Sequence, residues 1–404
     1  MRKKGKTLFE DPDFGPKYKG DTAQNSIYMD GVPKGYPDPE NMVWCRPHEI
    51  SQKKRPEFID NGADTNDVIQ GALGDCWFIG ALSVLATEDK LLRGSYNSKD
   101  DKDKFIDNHE AEAMTSGVYP PMFHYLRKYG MYVFRFYKNN SWRYVIIDDR
   151  LPCYKKDYGD KDLVFGRCRS VNEFWVPLIE KAYAKIHNCY EALIGGFIDD
   201  GLTDMTAYAQ TKIIFRNTKK HGKESEKIKL PSLGLKLNRT QKEELDALWK
   251  LISDANRNKS LIGCSARGPT GSEATFPEGV ACGVLQGHAY SIIDVFEITI
   301  ENIVDEDDEE AMSKKANLGP DGKPAKTRQQ RLLRLRNPWG KKEWNGAWSD
   351  GSDELIDNLV PLNKYVREQI EYGRKNNDPD LEGMKLFDQG ANDGTFLMSF
   401  EDWR

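Results

Sequence analysis

The chain has 404 residues, of which 38 % are hydrophobic, 11 % aromatic and 30 % charged, a composition of folded rather than disordered protein. This length exceeds one ordinary core and predicts two subdomains. A net charge of -5 excludes the strongly basic face that nucleic-acid binding requires.

Met1 to Lys4 is basic, but Thr7 to Lys17 lacks the apolar core of a signal peptide. The seven cysteines form an odd set with no C-x-x-C pair, which predicts free thiols and a cytoplasmic, reducing location. The longest apolar stretch, Cys76 to Ala86, is about half of what a bilayer span needs, so no transmembrane segment is expected.

The first 60 residues, rich in Pro, Gly, Asp and Lys, read as an irregular segment draped over a domain. Gly71 to Thr87 predicts a turn and then a buried helix, with Cys76 in its first turn. Glu173 to Leu193 predicts a second helix beside it, stopped near Gly195-Gly196. Beyond about residue 208 the pattern turns strand-like in Lys212 to Phe215, Gly283 to Val295 and Arg331 to Arg336. The charged tract Asn217 to Lys229 and the acidic tract Val304 to Gln330 read as exposed insertions.

A thiol becomes nucleophilic when ionised, and a helix N-terminus favours the thiolate. Gly74-Asp75-Cys76-Trp77 offers that setting, although a free cysteine is most often a small core residue. Gln70, just upstream, could donate to an oxyanion alongside the Cys76 N–H. Among six histidines, His48, His109 and His221 lie in irregular or charged segments, while His124 and His187 lie in amphipathic ones. His288 stands at the start of an apolar strand, behind Gly287, which would admit substrate backbone. Asn337 ends a strand, Pro338 biases it toward extended geometry, and Trp339 could shield a His288–Asn337 hydrogen bond. Trp77, Gly287 and Trp339 are expected to line a substrate cleft. The nucleophile and base are separated by more than half the chain, which predicts a cleft between two halves.

These segments, with Leu8 to Phe14, Asp148 to Pro152, Glu173 to Trp175, Glu180 to Lys185 and Phe396 to Trp403, resemble the protease core of the calpains, calcium-dependent intracellular cysteine proteases. The resemblance implies an α+β, papain-like fold of two subdomains, 1–207 mainly helical and 208–404 rich in β-structure. It implies a triad of Cys76, His288 and Asn337, with Gln70 in the oxyanion hole. It also implies one calcium ion per subdomain, rotating the halves into register. Asp60, Gly62, Asp67 and Glu173 match the first site; Glu343, Asp350, Ala391 and Asp393 match the second. Thr395 stands where the family usually has Glu, which removes a carboxylate from the second site. The first half is enlarged around Asn97 to Val118 and the 304–330 tract is unusually long, neither with an assigned role. Protein substrates are the expected partners, and the resemblance leaves room for regulatory domains or a regulatory subunit beyond this chain. A calcium-responsive scaffold and an amine-directed acyl transferase are the competing classes; the intact Cys, His and Asn argue against the first, and Asn337 in place of an Asp against the second.

Overall fold

A computed structural model describes residues 8–16, 26–51, 55–60, 62–94, 117–155, 162–220, 223–229, 241–266, 268–276, 279–303, 325–388, 390 and 392–403. The expectations for Ala391, for 95–116 and for 304–324 lie outside these residues.

The first half is built around helix α1, Cys76–Leu85, which is buried from Trp77 to Leu85. A helix apolar on every face must sit in the middle of a core, and its neighbours supply the walls. Helix α2, Trp175–Ile186, stacks Tyr183 flat on Phe78 with ring centroids 4.0 Å apart. Helix α3, Ile198–Thr206, packs against α1 as well, where Ile198 Cδ1 lies 3.3 Å from the point a Cβ on Gly80 would occupy.

The antiparallel hairpin β1, Met131–Lys138, and β2, Ser141–Asp148, closes another side. Its two-residue turn, Asn139-Asn140, has φ of 53° and 58° at the two positions, the left-handed values a type I′ turn requires. The irregular N-terminal segment is pinned by buried Asp11. Its N–H donates to Asp148 Oδ2 at 2.8 Å and its carboxylate accepts from Lys185 at 2.8 Å.

The second half carries a four-stranded antiparallel sheet in the order β6–β5–β4–β3, with β3 Ile262–Ser265, β4 Ala289–Ile303, β5 Ala325–Arg336 and β6 Thr395–Ser399. Phe296, Ile298 and Ile300 are buried while Glu297 and Thr299 between them are exposed, the period-two alternation of a strand with one face on a core. Two amphipathic helices flank the sheet, α4 at Gln241–Arg257 and α5 at Leu359–Asn376. Leu248, Trp249 and Ile252 of α4 join one apolar cluster and Leu362 of α5 joins another.

The α+β composition is as expected, and the second half holds the expected strands together with two long helices, α4 and α5, that the sequence pattern did not give; two tracts are corrected. The 304–330 tract is not wholly a loop: residues 325–330 extend β5 and pair with 298–303 of β4. The charged tract after Asn217 is a paired ribbon, Ile214–Lys220 against Lys223–Lys229. Among the described residues no helix is long and apolar enough to cross a membrane.

Candidate active site

Helix α1 meets strand β4 edge-on. Gly80 is what lets it do so, because the helix has no side chain there, and Ala289 Cβ lies 3.7 Å from the point a Cβ would occupy. A glycine inside a helix costs about 1 kcal/mol relative to alanine. Here the close approach offsets it: buried Ser291 Oγ donates to Gly80 O at 3.0 Å, tying the halves together.

That contact sets Cys76, at the head of α1, beside the start of β4. Cys76 is half-buried, and its sulfur takes a hydrogen bond from the main-chain N–H of Ala289, the residue after His288. Burial pushes the thiol pKa up, the Ala289 contact opposes this, and Asp75 beside it adds to the rise.

His288 is 5 % exposed and Asn337 is fully buried, so the pair is dry. His288 Nε2 lies 2.9 Å from Asn337 Oδ1, which as an amide oxygen can only accept; Nε2 therefore carries the proton and Nδ1 of the neutral ring is free to receive one. Asn337 is itself fixed. Its Nδ2 donates to Lys342 O at 2.7 Å, its N–H donates to Gly394 O at 2.7 Å, and Trp339 N–H donates to Oδ1 at 2.9 Å. The Trp339 ring packs 5.1 Å from the imidazole centroid and shields this bond. Burial lowers the His288 pKa, partly countered by the Asn337 bond.

Gln70 is buried, and its main-chain N–H donates to Pro338 O at 2.8 Å, joining this segment to the turn after Asn337. Its Nε2 donates to Leu73 O at 2.6 Å, leaving one amide hydrogen uncommitted. Trp77 is buried, its Nε1 bonded to Leu193 O at 2.8 Å. The backbone of exposed Gly196 lies directly against its ring, where any Cβ would come within 2.4 Å of Cε2. Trp77, expected to line a cleft, is therefore packed beneath Gly196 rather than open to solvent. Gly287 is exposed with φ +60°, with Thr270 close behind it.

The remaining histidines have other duties. His124 stacks on Tyr119 at 4.3 Å and His187 Nδ1 lies 2.8 Å from Tyr183 O, while His48 is exposed; His109 and His221 lie outside the described residues.

The acidic residues read as calcium ligands fall into two groups. In the first, Glu173 is buried and its Oε1 accepts from Asp60 N–H at 3.1 Å. Burial raises its pKa to about 7, with Asp67, Asp60 and Asp64 adding to the rise. Gly62 follows with φ +98°, and Asp67 Oδ2 accepts from Asp64 N–H at 2.8 Å. In the second group Glu343 and Asp350 line one cavity of about 870 Å³ with Gly390, where a Cβ would meet the Asp350 carboxyl at 2.1 Å. Glu343 Oε1 accepts from Gly394 N–H at 2.5 Å and Asp393 Oδ1 from Thr395 N–H at 2.8 Å.

Oxygen-only donors with crowded carboxylates fit a hard cation in chemistry. Among the described residues no three Cys, His, Asp or Glu side chains converge closely enough to enclose one as they stand. Thr395 Oγ1 turns to Asn66 Oδ1 at 2.9 Å rather than to the cavity.

Motif reading missed Arg336, which is fully buried and bridges the halves. It donates to Asn66 Oδ1, Asn66 O and Val68 O at 2.8, 3.1 and 3.0 Å on one side, and to Asp393 O and Thr395 Oγ1 at 2.9 and 3.1 Å on the other. Its place next to Asn337 was the available signal.

A half-buried cysteine at a helix head, set against the start of β4, with a His just before that strand bonded to an Asn just after β5, is the arrangement of a cysteine protease. Comparison with known proteins agrees, since the family model described as "Calpain family cysteine protease" matches residues 9–404. The chain is 31 % identical over 396 residues to Calpain-8 of Rattus norvegicus, covering 98 % of this chain and 41 % of that protein. It is 34 % identical over 314 residues to Calpain-5 of Caenorhabditis elegans (78 % and 40 %), and 31 % identical over 399 residues to Calpain-5 of Mus musculus (98 % and 48 %). The chain belongs to the calpain family, and it spans less than half the length of these relatives.

Proposed function

We propose that this protein is a calcium-dependent cytoplasmic cysteine endopeptidase acting on protein substrates, with papain-like subdomains 1–207 and 208–404 and the cleft between them. The observation that carries the proposal is the buried 2.9 Å His288–Asn337 bond beside a cysteine whose sulfur meets the N–H of Ala289, the residue after His288.

His288 Nδ1 takes the Cys76 proton, and the thiolate attacks the scissile carbonyl. The oxyanion is held by the Cys76 N–H and the uncommitted Gln70 amide hydrogen, a contribution worth about 3 kcal/mol per donor. The imidazolium protonates the leaving amine, and water activated by the same ring releases the acyl group as a new C-terminus. Asn337 holds the ring orientation throughout. Separate apolar clusters support the two-subdomain division, the first drawn from residues 14–205 and Ala289 and the others from residues 248–400.

Asp60, Gly62, Asp67 and Glu173 would hold one calcium ion, and Glu343, Asp350, Ala391 and Asp393 a second, weaker one. Bound, the ions supply charge that offsets carboxylate repulsion. Titrating calcium against cleavage of a fluorogenic peptide tests the whole reading. Cys76→Ser should abolish turnover, Glu173→Gln should raise the calcium requirement strongly, and Glu343→Gln should raise it less. Full calcium-stimulated activity in Cys76→Ser would overturn the assignment.

A further inference from the structure

Asp75 occupies the N-cap of α1, one residue before Cys76, yet it does not cap. An aspartate at this position ordinarily accepts from the N–H groups of the first turn. Here the main-chain O of Asp75 takes Phe78 N–H at 2.8 Å and Ile79 N–H at 3.1 Å, and the side chain turns into the core. Asp75 is 0 % exposed, and neither carboxyl oxygen meets an N–H or O–H donor.

Its hydrogen-bonding neighbour is another acid, Glu180 on α2, also 0 % exposed. Both Glu180 oxygens share the single N–H of Gly166, at 3.0 and 2.9 Å. Among the described residues no lysine or arginine pairs with either acid. As two carboxylates the groups can only accept and repel; one proton between them makes a hydrogen bond and removes half the charge. Burial pushes both groups upward, and each faces only the other, Cys76, Tyr36 and Tyr190 among titratable groups.

We propose that Asp75 and Glu180 form a one-proton carboxyl pair that positions the Cys76 turn, bracing the nucleophile and its oxyanion-holding N–H against α2. Both are positioning residues. The pair would act as a strut, anchored to Gly166 at one end and to the head of α1 at the other, which explains why an N-cap acid leaves its usual partners. The positioning role rests on Cys76 being the nucleophile; the shared proton does not.

The experiment has two arms. Infrared difference spectra of Cys76→Ala protein at neutral pH should contain the carbonyl band of one protonated, buried carboxylic acid, and this band should vanish in Cys76→Ala/Asp75→Asn/Glu180→Gln. Its absence from the first protein, or its survival in the second, overturns the pair whatever the catalytic assignment. In the protein with Cys76 intact, Glu180→Ala and Asp75→Ala should lower kcat far more than KM, by about 10²-fold, the scale of a misplacement near 1 Å. Glu180→Gln, which keeps a donor to Asp75, should recover most of that loss. Equal losses in Gln and Ala variants of a folded protein overturn the positioning role, and so do unchanged kcat values in the alanine variants.

Discussion

In the first half Lys181 is wholly buried and its ammonium meets the buried carboxylate of Asp148 at 2.5 Å, with the Asp148 and Arg150 carbonyls at 2.9 and 2.6 Å. In the second half Arg336 is equally buried, yet every acceptor it touches is neutral: three main-chain carbonyls, one amide oxygen and one hydroxyl. Burial pulls its pKa down only to about 10, so it stays charged. The first half closes its charge locally, within one core. The second spends a cation on spanning the gap to its neighbour, next to Asn337 and in line with the segments carrying Asp67, Gln70 and Asp393.

The difference can be broken from either side. The largest effect is expected from Lys181→Met, which strands a buried carboxylate and should lower unfolding free energy by about 3 kcal/mol or more in denaturant titration, with Arg150 limiting the loss. Arg336→Gln leaves only neutral groups short of a donor. It should cost less global stability, about 1–2 kcal/mol, and show itself more in kcat because it frees the Asn337 turn. A larger stability loss for Arg336→Gln than for Lys181→Met would reverse the comparison.

The smallest effect belongs to His124, whose burial lowers its pKa to about 4. The neutral ring is favoured in the folded state, so its stabilisation is present above the unfolded pKa of about 6.5 and is lost as pH falls toward 4. Thermal melts of His124→Asn should lose part of the wild-type decline between those values; an unaltered decline would remove His124 from the account.

The residues of the candidate site were easier to single out than the helices of the second half. Cys76, His288 and Asn337 each sit in a short local pattern, a helix head, a strand start and a strand end, and those patterns survive without knowledge of packing. Helix α4 was missed although Leu245, Leu248, Trp249 and Ile252 recur at helical spacing, because its charged flank resembles an insertion. Helix α5 gave a weaker signal, since only Leu362, Val366 and Gly373 are buried along its length. The Asp75–Glu180 contact joins residues far apart in the chain, and nothing local distinguishes an N-cap aspartate that caps from one that turns inward. The proposed calcium ligands were legible only through the family resemblance, as single acids look like ordinary surface charge.

The outer part of the β4–β5 hairpin, where 298–303 pairs with 325–330, extends past the last residues matched to β3 and β6. At about 3.3 Å per residue, Ile303, the last paired residue of β4, stands roughly 50 Å along the strand from His288. For a protein engineer this is a mast: a tag, sensor or tether grafted next to Ile303 or Ala325 would be carried clear of His288 and Asn337, with the sheet absorbing the leverage.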